Sequence, residues 1–224
     1  MAQTTYEMRQ NYLMRLDHVS YVASQNEISS TVNRIGSLLQ TAFVDGGVHP
    51  RFGTRNFTAP LLNNQYVEVV CPMDHPSTDS TPFGRAVKAK SENGGGWFAW
   101  VLATTNISEL ENLWQRKAAD GLRVLPDGKK LEWKQIGVLG TVVDANRPFF
   151  VEWKSQNHPS SMGIAKAKLV NIFMNGSKNS EDYWNKIESN QFGAKIDLQP
   201  NDIENPSGIA KIEFQIGENK VIVE

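Results

Sequence analysis

A supersecondary pattern that occurs twice is the feature that most limits how this chain can fold. The apolar segments LDHVSYVA (16–23) and WFAWVLAT (97–104) lie about eighty positions apart, and each precedes a helical pattern. Glu68 in YVEVV and Glu152 in FFVEWK are separated by a similar interval, each within an aromatic-rich strand pattern. Two copies of one structural unit are the simplest explanation of such a recurrence.

The first copy is predicted as a strand, a helix and further strands. Apolar residues at helical spacing predict a helix over 26–43, which the turn-forming sequence Asp45-Gly46-Gly47 should end. Strands are predicted before this helix at 16–23, and after it at 55–62 and 65–70.

The second copy repeats this order after the flexible sequence Gly94-Gly95-Gly96. A strand is predicted at 97–104, and a capping-box pattern that begins at Ser108 predicts a helix to about residue 119. Gly121 should follow the end of this helix. Three further strands are predicted at 131–135, 137–143 and 148–154.

The predicted fold class is α+β, with two tandem β-α-β-β-β modules that form a cupped mixed sheet, plus a C-terminal partial third module. The domain organisation is an arm (1–15), a first module (16–93), a second module (94–163) and an extension (164–224). Within the extension we predict a strand at 168–174, a helix at 180–188, a loop at 195–207 and a hairpin from 208 to 223.

Composition excludes several classes of function. The 23 basic and 24 acidic residues give a net charge of -1, which argues against a nucleic-acid partner. The single cysteine, Cys71, has no partner for an internal disulfide. No apolar run approaches the ~20 residues that span a bilayer. We therefore expect a cytoplasmic protein without a membrane partner.

Glutamate is depleted from strands, so Glu68 and Glu152 need an explanation. They either face solvent from half-buried strands or line a shared cavity, and periodicity alone leaves both alternatives open.

The segment from His49 to Asn56 also has two interpretations. His49, Thr54 and Asn56 are either residues of a turn and a strand start, or polar groups that orient a small ligand at the mouth of an apolar pocket.

Three arginines flank the segments that carry these candidate residues. They could hold an anionic group of a ligand, although a solvated surface position is the more common role of arginine. These arginines are Arg51, Arg55 and Arg147.

The module order and the sequence Asp17-His18-Val19 in the first strand resemble the vicinal-oxygen-chelate superfamily, which includes glyoxalases, bleomycin-resistance proteins and extradiol dioxygenases. The resemblance is closest to the glyoxalase-like proteins. It covers roughly residues 16–160, and its most specific part is GGVHPRFGTRN (46–56). The segments GGGWFAWVLAT (94–104) and RPFFVEWKSQNHPS (147–160) also match.

The resemblance implies a set of positions for a divalent metal ion. In metal-dependent members the ligands come from the first and last strands of each module. Carried over to this chain, these positions are His18, Glu68, Phe98 and Glu152. The first, second and fourth can bind a metal, whereas phenylalanine cannot, so a histidine from a loop would have to replace it. The candidates are His49, His75 and His158.

Two functions remain open at this point. The first is a metal-assisted lyase, isomerase or dioxygenase in which Glu68 and Glu152 are catalytic. The second is a metal-free protein that binds or sequesters a small molecule. For either function the expected ligand-binding residues are His49, Thr54, Asn56, Phe98 and Trp100. Because relatives pair modules within or between chains, a homodimer is also an expectation.

Overall fold

The computed structural model describes residues 14–176, 193–200 and 207–224. Eight strands form the larger of its two sheets. They are β1 (Arg15–Val22), β2 (Val44–His49), β3 (Thr54–Leu61), β4 (Gln65–Pro72), β5 (Gly96–Ala103), β6 (Ala119–Val124), β7 (Lys130–Ile136) and β8 (Phe149–Trp153).

Five helices and a second sheet complete the described part of the chain. The helices are α1 (Ile28–Leu39), α2 (Pro76–Ser80), α3 (Pro82–Glu92), α4 (Ile107–Trp114) and α5 (Val138–Val143). A short 3₁₀ turn covers Pro159–Ser161. The strands of the second sheet are β9 (Lys168–Gly176), β10 (Lys195–Pro200), β11 (Gly208–Ile216) and β12 (Asn219–Val223).

The eight-stranded sheet closes into a barrel with the order β1-β4-β3-β2-β6-β7-β8-β5. Strands β1 and β4 pair in parallel, as do β5 and β8, and the other neighbours are antiparallel. The antiparallel pairing of β1 with β5 closes the barrel on one side, and a short contact between Val48 and Val124 joins β2 to β6 on the other. The mixed α+β class is confirmed, and the predicted cup is a closed barrel.

The outer face of the barrel carries the main hydrophobic core. Val19 and Trp100 pack outward into the cluster that also contains Ile35 and Leu39 of α1. The second sheet, with strand order β10-β9-β11-β12, joins the same core. Alternate residues of β1 and β5 therefore lie on the outer face of the barrel, and the residues between them face the barrel interior.

Several predicted element boundaries are wrong for local reasons. Helix α1 ends at Leu39, where Gln40 takes a left-handed conformation with φ 51°, and the sequence Asp45-Gly46-Gly47 lies inside strand β2. Helix α4 ends at Trp114 in the same way, with Gln115 at φ 49°. Gly121 therefore lies in β6, a strand that the sequence did not predict.

The predicted strand at 137–143 is instead helix α5. Gly137 adopts a left-handed conformation with φ 99°, which turns the chain out of the extended path before Val138. The predicted loop at 195–207 contains strand β10, which pairs in parallel with β9. The predicted helix at 180–188 and almost all of the arm (1–15) lie outside the described residues. Within the described residues, none of the helices combines the length and the apolar character that crossing a bilayer would require.

Candidate functional site

The barrel interior holds a cavity with an empty volume of about 470 Å³, including its open mouth. Strands β1–β4 form one side of it, which we call the first wall, and strands β5–β8 form the second wall. The first wall contributes His18, His49, Tyr66 and Glu68. The second wall contributes Arg123, Trp133, Gln135, Phe149, Val151 and Trp153. The cavity is therefore polar on one side and largely aromatic on the other.

Glu68 lies inside the barrel because β4 pairs in register with β1, which sets Glu68 beside Ser20. The Ser20 hydroxyl donates a hydrogen bond to Oε2 of Glu68 at 2.6 Å, and the amide nitrogen of Asn56 donates to Oε1 at 2.5 Å. Only 6% of Glu68 is exposed. Both carboxylate oxygens are thus held by donors from neighbouring strands of the first wall.

These contacts keep Glu68 ionised. Burial by itself would raise the pKa of its carboxyl group, but the nearby His18 and His49, the Ser20 hydrogen bond and the Arg123 charge together lower this pKa below its usual value. Glu68 is consequently a fixed negative charge in an apolar cavity.

His18 faces Glu68 across the cavity floor. Its Nδ1 atom lies 2.9 Å from Oδ2 of Asp17, and its Nε2 atom lies 3.9 Å from Oε2 of Glu68. The imidazole also stacks on the ring of Tyr66, with centroids 4.4 Å apart and planes 18° from parallel. One nitrogen is therefore anchored by a carboxylate, and the other is directed at the cavity.

Asp17 is completely buried and holds several partners at once. Nε2 of His158 lies 3.1 Å from Oδ1, the indole nitrogen of Trp153 donates to Oδ2 at 3.1 Å, and Arg15 forms an ion pair at 2.8 Å. Burial alone would raise the pKa of Asp17, but the hydrogen bonds from His158 and His18 lower it far below its usual value. Asp17 is a permanent anion that fixes the orientation of His18.

His49 is the second buried histidine of the first wall. Its Nδ1 atom lies 3.0 Å from the Thr54 hydroxyl. Burial lowers the pKa of His49 to about 4, and the Arg123 charge adds to this effect against the opposing influence of Glu68. The imidazole is therefore neutral near pH 7.

Arg123 is the buried cation of the second wall, with only 2% of the residue exposed. Its Nε and Nη2 atoms have no hydrogen-bond partner among the described residues. Room for the side chain comes from Gly46, because a Cβ atom there would lie 3.1 Å from Nη1 of Arg123 and 2.2 Å from Oδ1 of Asn56.

Trp133 and Gln135 stand beside each other on β7. The indole nitrogen of Trp133 donates a hydrogen bond to Oε1 of Gln135 at 2.7 Å. Gly121 on the neighbouring strand lies under the indole, since a Cβ atom at Gly121 would come within 2.1 Å of that ring. The aromatic surface of the second wall therefore depends on a glycine in β6.

Glu152, which the sequence predicted to be catalytic and a metal ligand, is not among the residues that line this cavity. Val151 and Trp153 line the cavity, so strand alternation places Glu152 on the outer face of β8. There it forms an ion pair with Lys154 at 2.7 Å.

Phe98 and Trp100 also lie away from the cavity lining. Phe98 falls where the pairing of β1 with β5 is irregular, and its ring packs against Phe83 with centroids 5.9 Å apart. Trp100 belongs to the outer core, where its indole nitrogen donates to the carbonyl of Asn146 at 3.1 Å. The expected ligand-binding set is thus only partly brought together, from His49, Thr54 and Asn56 of the first wall.

The residues do not fit the metal site that the superfamily implies. The residues of β5 that pair with His18 and Ser20 are Val101 and Ala99, and they cluster with Val151 of β8. These apolar side chains occupy the positions where the second module would supply ligands. Among the described residues, no group of three or more His, Cys, Asp or Glu side chains is arranged to hold a metal ion.

The loop histidines do not replace the missing ligands. His75 is exposed and caps the start of α2, while His158 is held by Asp17. His49 hydrogen-bonds Thr54 through Nδ1, and it belongs to no group of three or more potential metal ligands among the described residues.

The sequence did not single out Arg123 and Gln135. The predicted helix runs to about residue 119 with Gly121 after its end, and only the alternation of a strand at 119–124 would place Arg123 on the inside. The arginines that the sequence did suggest are all exposed; they are Arg51, Arg55 and Arg147.

The eight-stranded mixed barrel thus consists of two halves with the same strand order and holds a cavity between its walls. The family model of the glyoxalase-like domain matches residues 16–183. The chain belongs to this family.

Solved structures support the fold and nothing beyond it. A hypothetical protein from Staphylococcus aureus is similar with a TM-score of 0.56 at 16% identity, over 93% of this chain and 84% of that chain. Methylmalonyl-CoA epimerase from Mycobacterium tuberculosis has a TM-score of 0.42 at 10% identity, over 62% of this chain and 86% of that chain. The second score is too low to support a conclusion. No curated protein matches the chain.

Proposed function

We propose that the barrel cavity is the active site of a lyase or isomerase that moves a proton on a small organic molecule. The observation that carries this proposal is the buried Asp17–His18 pair, whose Nε2 atom lies 3.9 Å from Glu68 inside an aromatic cavity. A histidine oriented by a buried carboxylate is a recurring arrangement for general acid–base catalysis.

His18 is the better proton acceptor of the two groups. The pKa of Glu68 is lowered and both of its oxygens accept hydrogen bonds, so it is a weak base. Its negative charge instead stabilises the imidazolium that forms when His18 takes up a proton. Glu68 thus has an electrostatic role in this proposal.

The reaction begins with removal of a proton from a carbon next to a carbonyl group. His18 accepts this proton at Nε2, and the electron pair of the carbon–hydrogen bond moves into the carbonyl to give an enolate. Return of the proton to carbon completes an isomerisation, whereas loss of a leaving group from the adjacent carbon completes an elimination. No step uses a metal ion. The dioxygenase alternative is not favoured, because within the described part of the chain two histidines and a carboxylate are not assembled in a group that could hold iron.

We also infer that residues 16–93 and 94–163 are two copies of one module, with 164–224 as an appended extension. The strand orders β1-β4-β3-β2 and β5-β8-β7-β6 support this division, because each half has the same internal arrangement.

Exchange of α-protons with solvent deuterium tests the proposed chemistry without knowledge of the natural substrate. Phenylpyruvate and the neutral ketone phenylacetone serve as probes, and exchange is followed by proton NMR in D₂O. The wild-type protein should accelerate exchange of at least one probe over buffer. His18→Gln should lower the rate roughly 100-fold or more, the usual size of a general-base contribution. Glu152→Gln, on the outer face, is the matched control and should keep the wild-type rate.

Two results would count against catalysis. If neither probe exchanges faster than in buffer, the metal-free binding protein becomes the better description of the cavity. If His18→Gln and Glu152→Gln behave alike, the exchange does not occur at this site.

A further inference from the structure

Arg123 is the charged group of the cavity that the proposed proton transfer does not use. It lies on the second wall, is 2% exposed, and its Nε and Nη2 atoms have no hydrogen-bond partner among the described residues. Within the same residues it forms no ion pair, and Glu68 has its two oxygens engaged by Ser20 and Asn56. Arg123 is therefore a buried cation, and its Nε and Nη2 donors have no acceptor among the described residues.

Such an arrangement is costly for the unliganded protein. A buried charge without a hydrogen-bonded partner loses its hydration, and the charge of nearby Glu68 offsets only part of this cost. The cost is offset when a ligand supplies the missing acceptor. Because Arg123 also lines the cavity, its unpartnered guanidinium points to an anionic ligand, which has to reach two nitrogens that are buried in this structure.

The identity of the two unpartnered nitrogen atoms narrows the chemical class of the ligand further. Nε and Nη2 form one edge of the planar guanidinium, and their N–H bonds are nearly parallel. This edge matches the two oxygens of a carboxylate in a bidentate geometry. A single free nitrogen would not distinguish a carboxylate from a carbonyl or hydroxyl group.

We propose that Arg123 binds the carboxylate of the substrate, so that the site acts on a small organic acid with an apolar body. This substrate class rests on the proposed function, because it describes the molecule on which His18 acts.

The surroundings of Arg123 suit the rest of such a molecule. Oε1 of Gln135 accepts the Trp133 indole hydrogen at 2.7 Å, which leaves the Gln135 amide nitrogen as a second donor for a ligand oxygen. Phe149 and Val151 continue the second wall as an apolar surface. The second wall can therefore contact both the polar end and the apolar body of one ligand.

A neutral His49 keeps this site specific for one anionic group. The pKa of His49 is lowered to about 4, so near pH 7 it adds no second positive charge to the cavity. Arg123 is then the cation that a ligand meets, while Glu68 opposes a second anionic group near His18. A monocarboxylate is favoured over a dianion.

Binding of phenylacetate to the full-length protein tests the proposal, with phenylacetamide as the neutral probe of the same shape. Quenching of tryptophan fluorescence reports occupancy, because Trp133 and Trp153 line the cavity. Phenylacetate should bind roughly 10- to 100-fold more tightly than phenylacetamide, as expected for one or two charge-assisted hydrogen bonds. Inorganic phosphate at the same concentration should not displace it.

Three variants separate a binding arginine from a structural one. Arg123→Met should remove the preference for phenylacetate and raise the melting temperature, because it replaces an unpartnered buried charge with an apolar side chain. Arg123→Lys should keep the preference for the anion but weaken binding, since the bidentate edge is lost. The exposed Arg116→Gln is the matched control and should bind like the wild type.

The proposal is overturned if phenylacetate and phenylacetamide bind equally, if Arg123→Met retains the preference, or if phosphate competes better than phenylacetate. A fall in the melting temperature of Arg123→Met, with phenylacetate binding unchanged, would make the arginine structural. These outcomes are measured as binding of phenylacetate, so they do not depend on whether the protein accelerates proton exchange at His18.

Discussion

The two walls of the barrel have the same strand order but different inner surfaces. The first wall presents His18, His49 and Glu68, each tied to polar neighbours. The second wall presents aromatic and aliphatic side chains around the single cation Arg123. Two halves with the same strand order therefore carry different inner surfaces, to which the proposals above assign proton transfer and ligand binding respectively.

This difference explains why no metal site is assembled among the residues that the structure describes. A site built at the interface of two modules needs ligands from both, and only His18 and Glu68 on the first wall offer them. At the corresponding inner positions of the second wall stand Ala99, Val101 and Val151. In the proposed mechanism the first wall moves a proton without a metal, because Asp17 orients His18 and the charge of Glu68 stabilises the imidazolium.

The largest effect on the rate of proton exchange is expected when Asp17 no longer holds His18 on the first wall. Asp17→Asn removes the anion that orients His18, so exchange of phenylpyruvate protons should fall roughly 100-fold or more. The matched control is Asp45→Asn, because Asp45 is paired with Arg55 at the barrel surface. Exchange rates of the two variants, measured by NMR, test whether Asp17 supports catalysis. Equal rates would mean that Asp17 has no part in the mechanism.

The second effect is a loss of stability in acid that originates at His49. Its pKa is about 4 in the folded protein and ~6.5 in the unfolded chain, so between these pH values only the unfolded chain takes up the proton. The contribution of His49 is fully present above pH ~6.5, and on the order of 3 kcal/mol is lost as the pH falls to 4. Urea unfolding at several pH values measures this slope.

His49→Gln should flatten that pH dependence, whereas the exposed His75→Gln should leave it as in the wild type. A wild-type slope in His49→Gln would mean that other groups cause the loss of stability.

On the second wall, a single methyl group added at Gly121 should have a smaller effect on the stability of the protein. Gly121→Ala would place Cβ against the Trp133 ring and should cost about 1–3 kcal/mol through overpacking. Gly140→Ala in α5 is the matched control, because no atom lies within 4 Å of its added methyl group. It should be neutral or stabilise by up to ~1 kcal/mol. Thermal unfolding of both variants tests whether Gly121 supports the aromatic surface.

The smallest effect is expected outside both walls. Glu152 pairs with Lys154 on the outer face, where a partly exposed ion pair contributes about 0–1 kcal/mol. Glu152→Gln should therefore change the free energy of unfolding by less than ~1 kcal/mol and leave phenylacetate affinity unaltered. A loss of affinity in this variant would mean that the wall assignment is wrong.

The contrast between Glu68 and Glu152 shows how much of the candidate site could be predicted from the sequence. Strand patterns located both residues in corresponding strands, and the resemblance placed His18 and Glu68 together. Alternation fixes which residues share a face, but not which face is inside. For β4 the inner face carries Glu68; for β8 it carries Val151 and Trp153.

Arg123 was missed for a different physical reason. Its strand is short and begins with Ala119, Asp120 and Gly121, which have low strand propensity. Pairing with β7 and β2 stabilises this segment as a strand, and such long-range pairing leaves no local signal. The apolar run at 137–143 was misassigned because a short apolar run fits a strand or a helix equally well.

The dissociation constant of phenylpyruvate, measured for His18→Gln and Arg123→Met beside the wild type, tests the division between the walls most directly. His18→Gln should bind within about threefold of the wild type, and Arg123→Met should bind roughly 10-fold or more weakly. Loss of binding in His18→Gln together with wild-type binding in Arg123→Met would contradict the division, because the ligand would then be held by the first wall.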